Sequence, residues 1–224
     1  MKTTLTAVVG AALAIAVAAA PASAATRQPA KCAAKRSITE LATKDARVYS
    51  LKNGRVYGCL LKKNKRVLLG TAGDCQGSPE PRAFRLAGRF VGFVSTACNL
   101  DTADETVIVV DLTTGKAKFA APAFAPPEGL PVHAREPNTG VVGFYMTDNG
   151  SAVWTGLFDA AGERSLTTAD DPDDLVQVRK VEPGSPKTGT TVDQDHDIAL
   201  RSLALDHDGF YYRKGGTPLF APLG

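Results

Sequence analysis

Apolar and polar residues alternate with a period of two along most of the chain beyond residue 46. Short alternating runs such as "GRVYGCLL", "RFVGFVSTA" and "ETVIVVDL" are bounded by turn residues, as at Asn53-Gly54 and Asp148-Asn149-Gly150. This pattern is typical of antiparallel strands joined by tight turns, because successive side chains of a strand point to opposite faces. An Asn-Gly pair also favours a type I′ turn, whose central residues both have positive φ. The pattern predicts an all-β protein.

One sequence pattern, a glycine followed by alternating aliphatic and aromatic residues, recurs four times, at Gly54, Gly88, Gly140 and Gly209. A sheet of a few strands that repeats in this way is typical of a β-propeller blade, which buries its faces by stacking on its neighbours. We predict repeated antiparallel meanders in a small or incomplete β-propeller-like arrangement of about four units. A β-sandwich is the alternative, because the same strands would also build two packed sheets.

Some segments depart from the alternation. In residues 36–46, Ser37 and Glu40 have the spacing of a helix-capping box, which predicts a short helix. Residues 121–131 and 181–197 combine proline, glycine and charge, and they are interpreted as long loops. We therefore divide the mature chain into an N-terminal segment with a short helix, residues 25–46, and a single β-repeat domain, residues 47–224.

The first 24 residues have the layout of a secretory signal peptide. Lys2 is followed by an apolar run over residues 5–20, and Ala22-Ser23-Ala24 offers a small-residue cleavage pattern. The apolar run is shorter than the roughly 20 strongly apolar residues that a membrane span needs. We therefore expect a secreted protein, without a transmembrane segment after signal cleavage.

The four cysteines, Cys32, Cys59, Cys75 and Cys98, all precede residue 100. An even number of cysteines in an oxidising compartment predicts disulfide bonds, although it does not fix the connectivity. We favour the local pairs Cys32–Cys59 and Cys75–Cys98. A zinc site is a weaker interpretation, because no two cysteines have the short CxxC spacing that such sites use.

Charge is distributed unevenly along the chain. Residues 25–100 contain 15 Lys and Arg against 4 Asp and Glu, whereas residues 101–224 contain 10 against 19. The basic part includes "KKNKR" at residues 62–66, and the acidic part includes "DDPDD" at residues 170–174. Such polarity could steer the protein to an anionic surface. The charged runs are also explained as solvated segments that suppress aggregation. From the sequence we favour this second interpretation.

The strand "RLAGRFVGFVSTAC", the segment "ETVIVVDLTTGK" and the ending "RSLALDHDGFYYRKGGTPLFAPL" resemble a group of secreted, largely uncharacterised, β-propeller-like repeat proteins from high-GC soil bacteria. In that group a Leu-x-Gly-Arg strand precedes a Val-x-Asp-Leu-x-Thr-Gly turn, and residues 86–92 and 110–115 match this order. The closing element matches at residues 202–205, 211–212 and 215–216. The resemblance implies a fold and a compartment, and it brings no activity or catalytic residue.

The sequence holds one weak candidate for a metal site. In "DQDHD", Asp193, Asp195 and Asp197 occupy alternate positions, as the first ligands of a calcium loop do. The glycine and glutamate that complete such a loop are replaced by Ile198 and Ala204. We expect no cofactor, with Ca²⁺ as the one ion that this pattern could hold.

No nucleophile elbow, zinc-binding helix or phosphate loop occurs in the sequence. We therefore predict an extracellular, non-catalytic binding module whose partner is an unknown protein or envelope polymer, and we expect a monomer that binds no nucleic acid. The alternative is an extracellular hydrolase or lyase that acts on an envelope polymer through His196, His207 and the neighbouring aspartates. In a third interpretation the basic half anchors the protein to the envelope by charge alone, which salt would reverse.

Overall fold

The computed structural model describes residues 32, 34–72, 80–98, 103–126, 138–159 and 174–224. Its strands form four successive antiparallel meanders. The first meander consists of β1 (Ile38–Ala42), β2 (Ala46–Ser50), β3 (Arg55–Leu60) and β4 (Lys65–Thr71), with one 3-10 turn, Leu61–Lys63, between β3 and β4. The second consists of β5 (Glu80–Ala87), β6 (Phe90–Cys98), β7 (Ala103–Asp111) and β8 (Lys116–Pro122). The predicted signal peptide, residues 1–24, lies outside the described residues.

The third meander consists of β9 (Asn138–Met146), β10 (Ala152–Asp159), β11 (Leu175–Val181) and β12 (Thr190–Asp195). The fourth consists of β13 (Ala204–Leu205), β14 (Gly209–Lys214) and β15 (Thr217–Pro222). Within each meander, strands that are adjacent in the chain pair antiparallel. A single parallel bridge between Asp104 and Thr139 joins the sheets of the second and third meanders. The all-β prediction is confirmed: the strands form antiparallel meander sheets that, within the described residues, do not close into a barrel, and this arrangement fits both the β-propeller-like stack and the β-sandwich alternative.

The hydrophobic core lies between successive meanders. One cluster joins the first and second meanders, with Val48 and Val56 packed beside Val91 and Leu112. A second cluster joins the second and third meanders, and a third joins the third and fourth. Because each interface covers one face of a sheet, both faces of the inner strand β10 are buried along its whole length.

The described core clusters do not join the first meander to the fourth, so within the described residues the stack has two free ends. At the fourth meander, the rings of Tyr211 and Phe220 pack at an interplanar angle of 54° with centroids 5.1 Å apart, and both side chains are exposed. At the first meander, Cys32, Tyr49, Tyr57 and Cys59 form a small buried cluster, whereas Ile38 and Leu68 are exposed. Each end therefore leaves apolar side chains in solvent.

The short helix predicted within residues 36–46 is wrong. Residues Ile38–Ala42 form the strand β1, which pairs with β2. Ser37 does not cap a helix, and its hydroxyl donates to the carbonyl oxygen of Ala34 at 2.8 Å. A bulge between Thr39 and Leu41 places Leu41 beside Val48 at the core, whereas Ile38 is 67% exposed. Pairing with the edge of β2 supplies several backbone hydrogen bonds to this segment, and one capping pair does not outweigh them.

Two further predictions need correction. Residues 181–197 are not a structureless loop, because β12 forms within them and pairs with β11. The Asn53-Gly54 hairpin exists, but it is not a type I′ turn. Only Gly54 has a positive φ, of 77°, and the amide of Leu51 bonds to the carbonyl oxygen of Arg55 across a loop of three residues.

The four marker glycines do not occupy equivalent places. Gly54 and Gly88 lie in turns and have positive φ, whereas Gly140 lies inside β9 and Gly209 begins β14. Gly209 is required by close packing, since an added Cβ would lie 2.3 Å from the carbonyl oxygen of Ala221. The recurring sequence pattern therefore indicates similar strands, not one repeated turn.

The turns after β1, β3, β5, β7 and β9 gather at one end of the stack, which we call the short-turn rim. It comprises residues 43–45, 61–64, 88–89, 112–115 and 147–151. Two lysines tie adjacent meanders together there. Lys65 donates to the carbonyl oxygen of Thr113 at 2.6 Å, and Lys118 donates to that of Asn149 at 2.5 Å. The rim is therefore a continuous surface from the first meander to the third.

Candidate functional site

The aspartates of the candidate calcium site lie around a lysine. Asp193 and Asp195 point to the same face of β12, and the ammonium nitrogen of Lys214 is 2.9 Å from a carboxylate oxygen of each. Asp197 follows the end of the strand, and its backbone N–H donates to Asp195. Among the described residues no group of three or more acidic, histidine or cysteine side chains is placed to hold a metal ion. Lys214 takes the position of the cation that these carboxylates would otherwise bind.

The hydrogen bonds of Asp193 have an electrostatic consequence. Burial by itself would raise the pKa of Asp193, but hydrogen bonds from Lys214, the Gln194 amide and the Tyr212 hydroxyl outweigh it and lower the pKa below its ordinary value. Both Asp193 and Asp195 are therefore held in the ionised form, and they link β12 to β14.

The structure does not bring the candidate histidines together. The Nδ1 atom of His196 is 2.7 Å from the carbonyl oxygen of Asp174, just beyond the end of β12. His207 lies in the turn before β14, between Asp206 and Asp208, and its side chain is 82% exposed. The six residues of β14 separate the two histidines, a length of roughly 17–20 Å. His133 lies outside the described residues.

The cysteines have a structural role in the first meander. Cys32 and Cys59 form a disulfide bond, as predicted, with both side chains buried against Tyr49 and Tyr57. Cys98 is also disulfide-bonded. Its predicted partner, Cys75, lies outside the described residues.

In the described part of the chain no helix is long and apolar enough to cross a bilayer.

Trp154, the single tryptophan, is a core residue. Trp154 is fully buried, and its indole N–H donates to the carbonyl oxygen of Ala123 at 2.9 Å. Arg179 lies over the Trp154 ring and donates to the carbonyl oxygens of Pro122 and Thr188. These bonds hold the segment after β8 against the third meander, so they serve packing.

The short-turn rim contains an open cavity of about 290 Å³ between the first and second meanders. Its lining comes from three turns and includes Asp45, Lys62, Lys63 and Arg89. The side chain of Lys62 is 86% exposed and lies 3.5 Å from Asp45, whereas Lys63 makes no hydrogen bond or ion pair with a described residue. Arg89 lies 3.3 Å from Asp111 through Nε. Three of the six residues that line the cavity are therefore cationic, and Asp45 is the one carboxylate among them.

A further basic residue, Lys118, contacts the same aromatic ring as Arg89. The guanidinium carbon of Arg89 and the ammonium nitrogen of Lys118 are 4.9 and 5.0 Å from the centroid of the Phe90 ring. Burial lowers the pKa of Lys118, the positive charge of Arg89 lowers it further, and Asp111 offsets part of this shift. The region thus carries more positive charge than its own carboxylates balance.

Comparisons with known proteins give little guidance. No protein-family model matches the sequence, and no curated protein matches it. A similar solved structure is the crystal structure of the computationally designed Ika8 protein, at 15% identity and a TM-score of 0.28, with 82% of this chain and 57% of that chain covered. The chain therefore spans somewhat more than half the length of that protein, and the similarity is too low to indicate a function.

Sequence reasoning found only part of the cationic region. The run at residues 62–66 was recognised as basic, and it supplies Lys62 and Lys63. Arg89 and Lys118 were missed, because Arg89 was interpreted only as part of the Leu-x-Gly-Arg strand motif and Lys118 lies in a different element, β8. Their signal in the sequence is weak: each lies beside a tight turn that carries a glycine, Gly88 or Gly115.

Proposed function

We propose that this protein is an extracellular, non-catalytic binding module that recognises an anionic polymer of the cell envelope through its first meander and the short-turn rim. The observation that carries the proposal is the cationic cavity between the first and second meanders, lined by Lys62, Lys63 and Arg89. A stack of meanders is a rigid support for such a surface, because each sheet packs against at least one neighbouring meander.

The distribution of charge over the fold supports an anionic ligand. Residues 34–72, which contain the first meander, include ten Lys and Arg against two Asp and Glu. The described residues of the third meander and its turns, 138–159 and 174–197, include three against seven. A surface with one sign of charge attracts ligands of the opposite sign and orients them as they approach. The first meander would therefore face the polymer.

The arrangement of the candidate acid–base groups supports binding over catalysis. General acid–base chemistry needs a pair of groups within hydrogen-bonding reach of one substrate. His196 and His207 lie at opposite ends of β14, and Asp193 and Asp195 are engaged by Lys214. The buried disulfide between Cys32 and Cys59 is in keeping with the secreted location that the N-terminal sequence predicts.

The test is the retention of the purified protein on immobilised polymers. We expect retention on poly(glycerol phosphate) and on polygalacturonate, and none on neutral dextran. Retention should vanish at high salt, since the Debye length falls from about 10 Å at 0.1 M to about 3 Å at 1 M. The double variant Lys62→Glu, Lys63→Glu should lose retention at low salt.

The matched control is Arg201→Glu, Arg213→Glu, which makes the same change of charge at exposed positions of the fourth meander and its approach. It should be retained nearly as well as the wild-type protein. Equal loss in both double variants would show that only net charge matters, and no retention of the wild-type protein on either polyanion would refute the proposal.

A further inference from the structure

The cationic cavity differs from an ordinary basic patch in its geometry. Lys62 and Lys63 come from the turn after β3, and Arg89 comes from the turn after β5. The three charges therefore approach one volume from two different meanders. A planar carboxylate accepts hydrogen bonds mainly in its own plane, whereas the tetrahedral oxygens of a phosphate accept them from several directions.

The charges around the cavity are not balanced within the described residues. The cavity lining contains three cations, Lys62, Lys63 and Arg89, against one carboxylate, Asp45. Asp111, 3.3 Å from Arg89, compensates part of the charge of that guanidinium, so the lining carries an excess of about one to two positive charges. A phosphate monoester or free phosphate carries about 1.5 to 2 negative charges at neutral pH, which matches this excess.

We propose that the cavity between the first and second meanders binds a single dianionic phosphate group, with Lys62, Lys63 and Arg89 as its ligands. This inference rests on the proposed function, because it names the chemical group by which an anionic envelope polymer would be held. The volume of about 290 Å³ is at the small end of the range of ligand pockets, and it would admit a phosphate with a small attached group.

The shared environment of Arg89 and Lys118 supports the assignment. Both cations lie against the Phe90 ring, and each repels the other. An anion bound beside Arg89 would relieve that repulsion. It would also raise the lowered pKa of Lys118, because a negative charge favours the protonated amine.

The experiment measures phosphate binding to the purified protein by calorimetry, against chloride and sulfate at the same ionic strength. The variants are Lys63→Gln and Arg89→Gln. The controls are Lys52→Gln and Arg55→Gln, which remove the same charge from exposed positions at the β2–β3 turn, away from the short-turn rim. We expect each cavity variant to lose affinity by roughly tenfold or more, the loss that accompanies removal of one charged hydrogen bond, and each control to lose less than about twofold.

Two further measurements identify the source of the phosphate. Inorganic phosphate is compared with poly(glycerol phosphate) that carries a terminal phosphate monoester, and with the same polymer after phosphatase treatment. Tighter binding of the intact polymer than of the treated one would support a polymer end as the ligand. Binding of inorganic phosphate alone would keep the cavity as a phosphate site and refute the polymer function.

Two results would overturn the inference. If the polymer binds but the cavity variants and the controls weaken it equally, the phosphate site is wrong and the proposed function survives. If neither phosphate nor polymer binds the wild-type protein, both are wrong. A circular dichroism spectrum of each variant checks that it folds, so that a loss of affinity is not a loss of structure.

Discussion

Arg89 and Lys118 share one aromatic ring, since both cations lie about 5 Å from the centroid of Phe90. Phe90 itself belongs to the core between the second and third meanders and is nearly fully buried. The ring thus connects a buried core with a charged rim. Cation–π attraction is worth roughly 0.5–1 kcal/mol for each cation at such partly exposed sites, and it offsets part of the repulsion between the two charges.

Replacing Phe90 by leucine tests this relationship. Phe90→Leu should lower the free energy of unfolding by about 1 kcal/mol more than Phe119→Leu, because Phe119 lies in the same core and has no described cation contact. Urea unfolding of both variants gives the comparison. Equal losses would mean that the cations contribute nothing measurable through the ring.

Gly156 lies where the backbones of the second and third meanders approach each other closely. An added Cβ would lie 1.9 Å from the carbonyl oxygen of Ala123, an atom that also accepts the indole N–H of Trp154. Gly156→Ala should therefore destabilise the protein by more than about 3 kcal/mol or prevent folding. Gly184→Ala is the control, because its added methyl group contacts nothing and its φ of 88° should cost only about 1 kcal/mol. Thermal melts that rank the two variants alike would contradict the close contact.

Ala83 has a φ of 51°, a left-handed conformation that alanine disfavours, within the irregular pairing of β5 and β6. Glycine adopts this conformation without the steric penalty. Ala83→Gly should therefore raise the free energy of unfolding by up to about 1 kcal/mol. Ala97→Gly, at an exposed position of β6, should lower it by about 0.5–1 kcal/mol. Chemical denaturation at neutral pH distinguishes the opposite signs.

Asp193 should govern part of the acid stability. Its pKa is lower in the folded protein than in the unfolded chain, so the stability that it contributes is present above the unfolded pKa and is lost as the pH falls through the folded pKa, below about pH 4. Asp193→Asn should cost about 1–2 kcal/mol at pH 7 and less at pH 3, because below the ordinary aspartate pKa the unfolded chain takes up the proton and the stability contributed by the ionised Asp193 shrinks. Asp197→Asn, at an exposed position without a described side-chain partner, should change neither value. Urea titrations at the two pH values provide the check, and a loss that does not depend on pH would rule out the ionised Asp193 as its source.

The disulfide between Cys32 and Cys59 closes a loop with a sequence separation of 27. A loop of this length restricts the unfolded chain by about 3–4 kcal/mol. We expect the double variant Cys32→Ser, Cys59→Ser to lose approximately this much stability, and the native protein to show no free thiol at these positions before reduction. Alkylation with and without reductant, followed by mass measurement, tests the second expectation. A labelled Cys32 or Cys59 in the unreduced protein would contradict the bond.

The strands themselves could be predicted from local pattern. Alternation in "GFYYRK" matches β14, in which Phe210 and Tyr212 are buried and Tyr211 is exposed. The alternation is visible because the outer face of this sheet remains in solvent. In β10 every residue is buried, including Thr155 and Ser151 before it, so the sequence shows a strand without showing which meanders cover its two faces.

Local signals were less reliable where another strand could compete for the backbone. Ser37 and Glu40 have the spacing of a helix cap, yet the segment pairs with β2, because a neighbouring edge supplies more hydrogen bonds than a cap. The acidic alternation at Asp193 and Asp195 was interpreted as the start of a calcium loop, whereas both carboxylates lie on one face of the strand β12. It did not reveal Lys214, which reaches them from another meander.

The sequence by itself determined the strand content, the meander pattern and the excess of positive charge before residue 100. These properties depend on residues that are near one another in the chain. Only the tertiary structure decided that Lys62 and Lys63 face Arg89 across a cavity, and that Lys118 shares Phe90 with Arg89. Such arrangements depend on how one meander packs on the next, and packing is set by the shapes of whole sheet faces, which no local pattern contains.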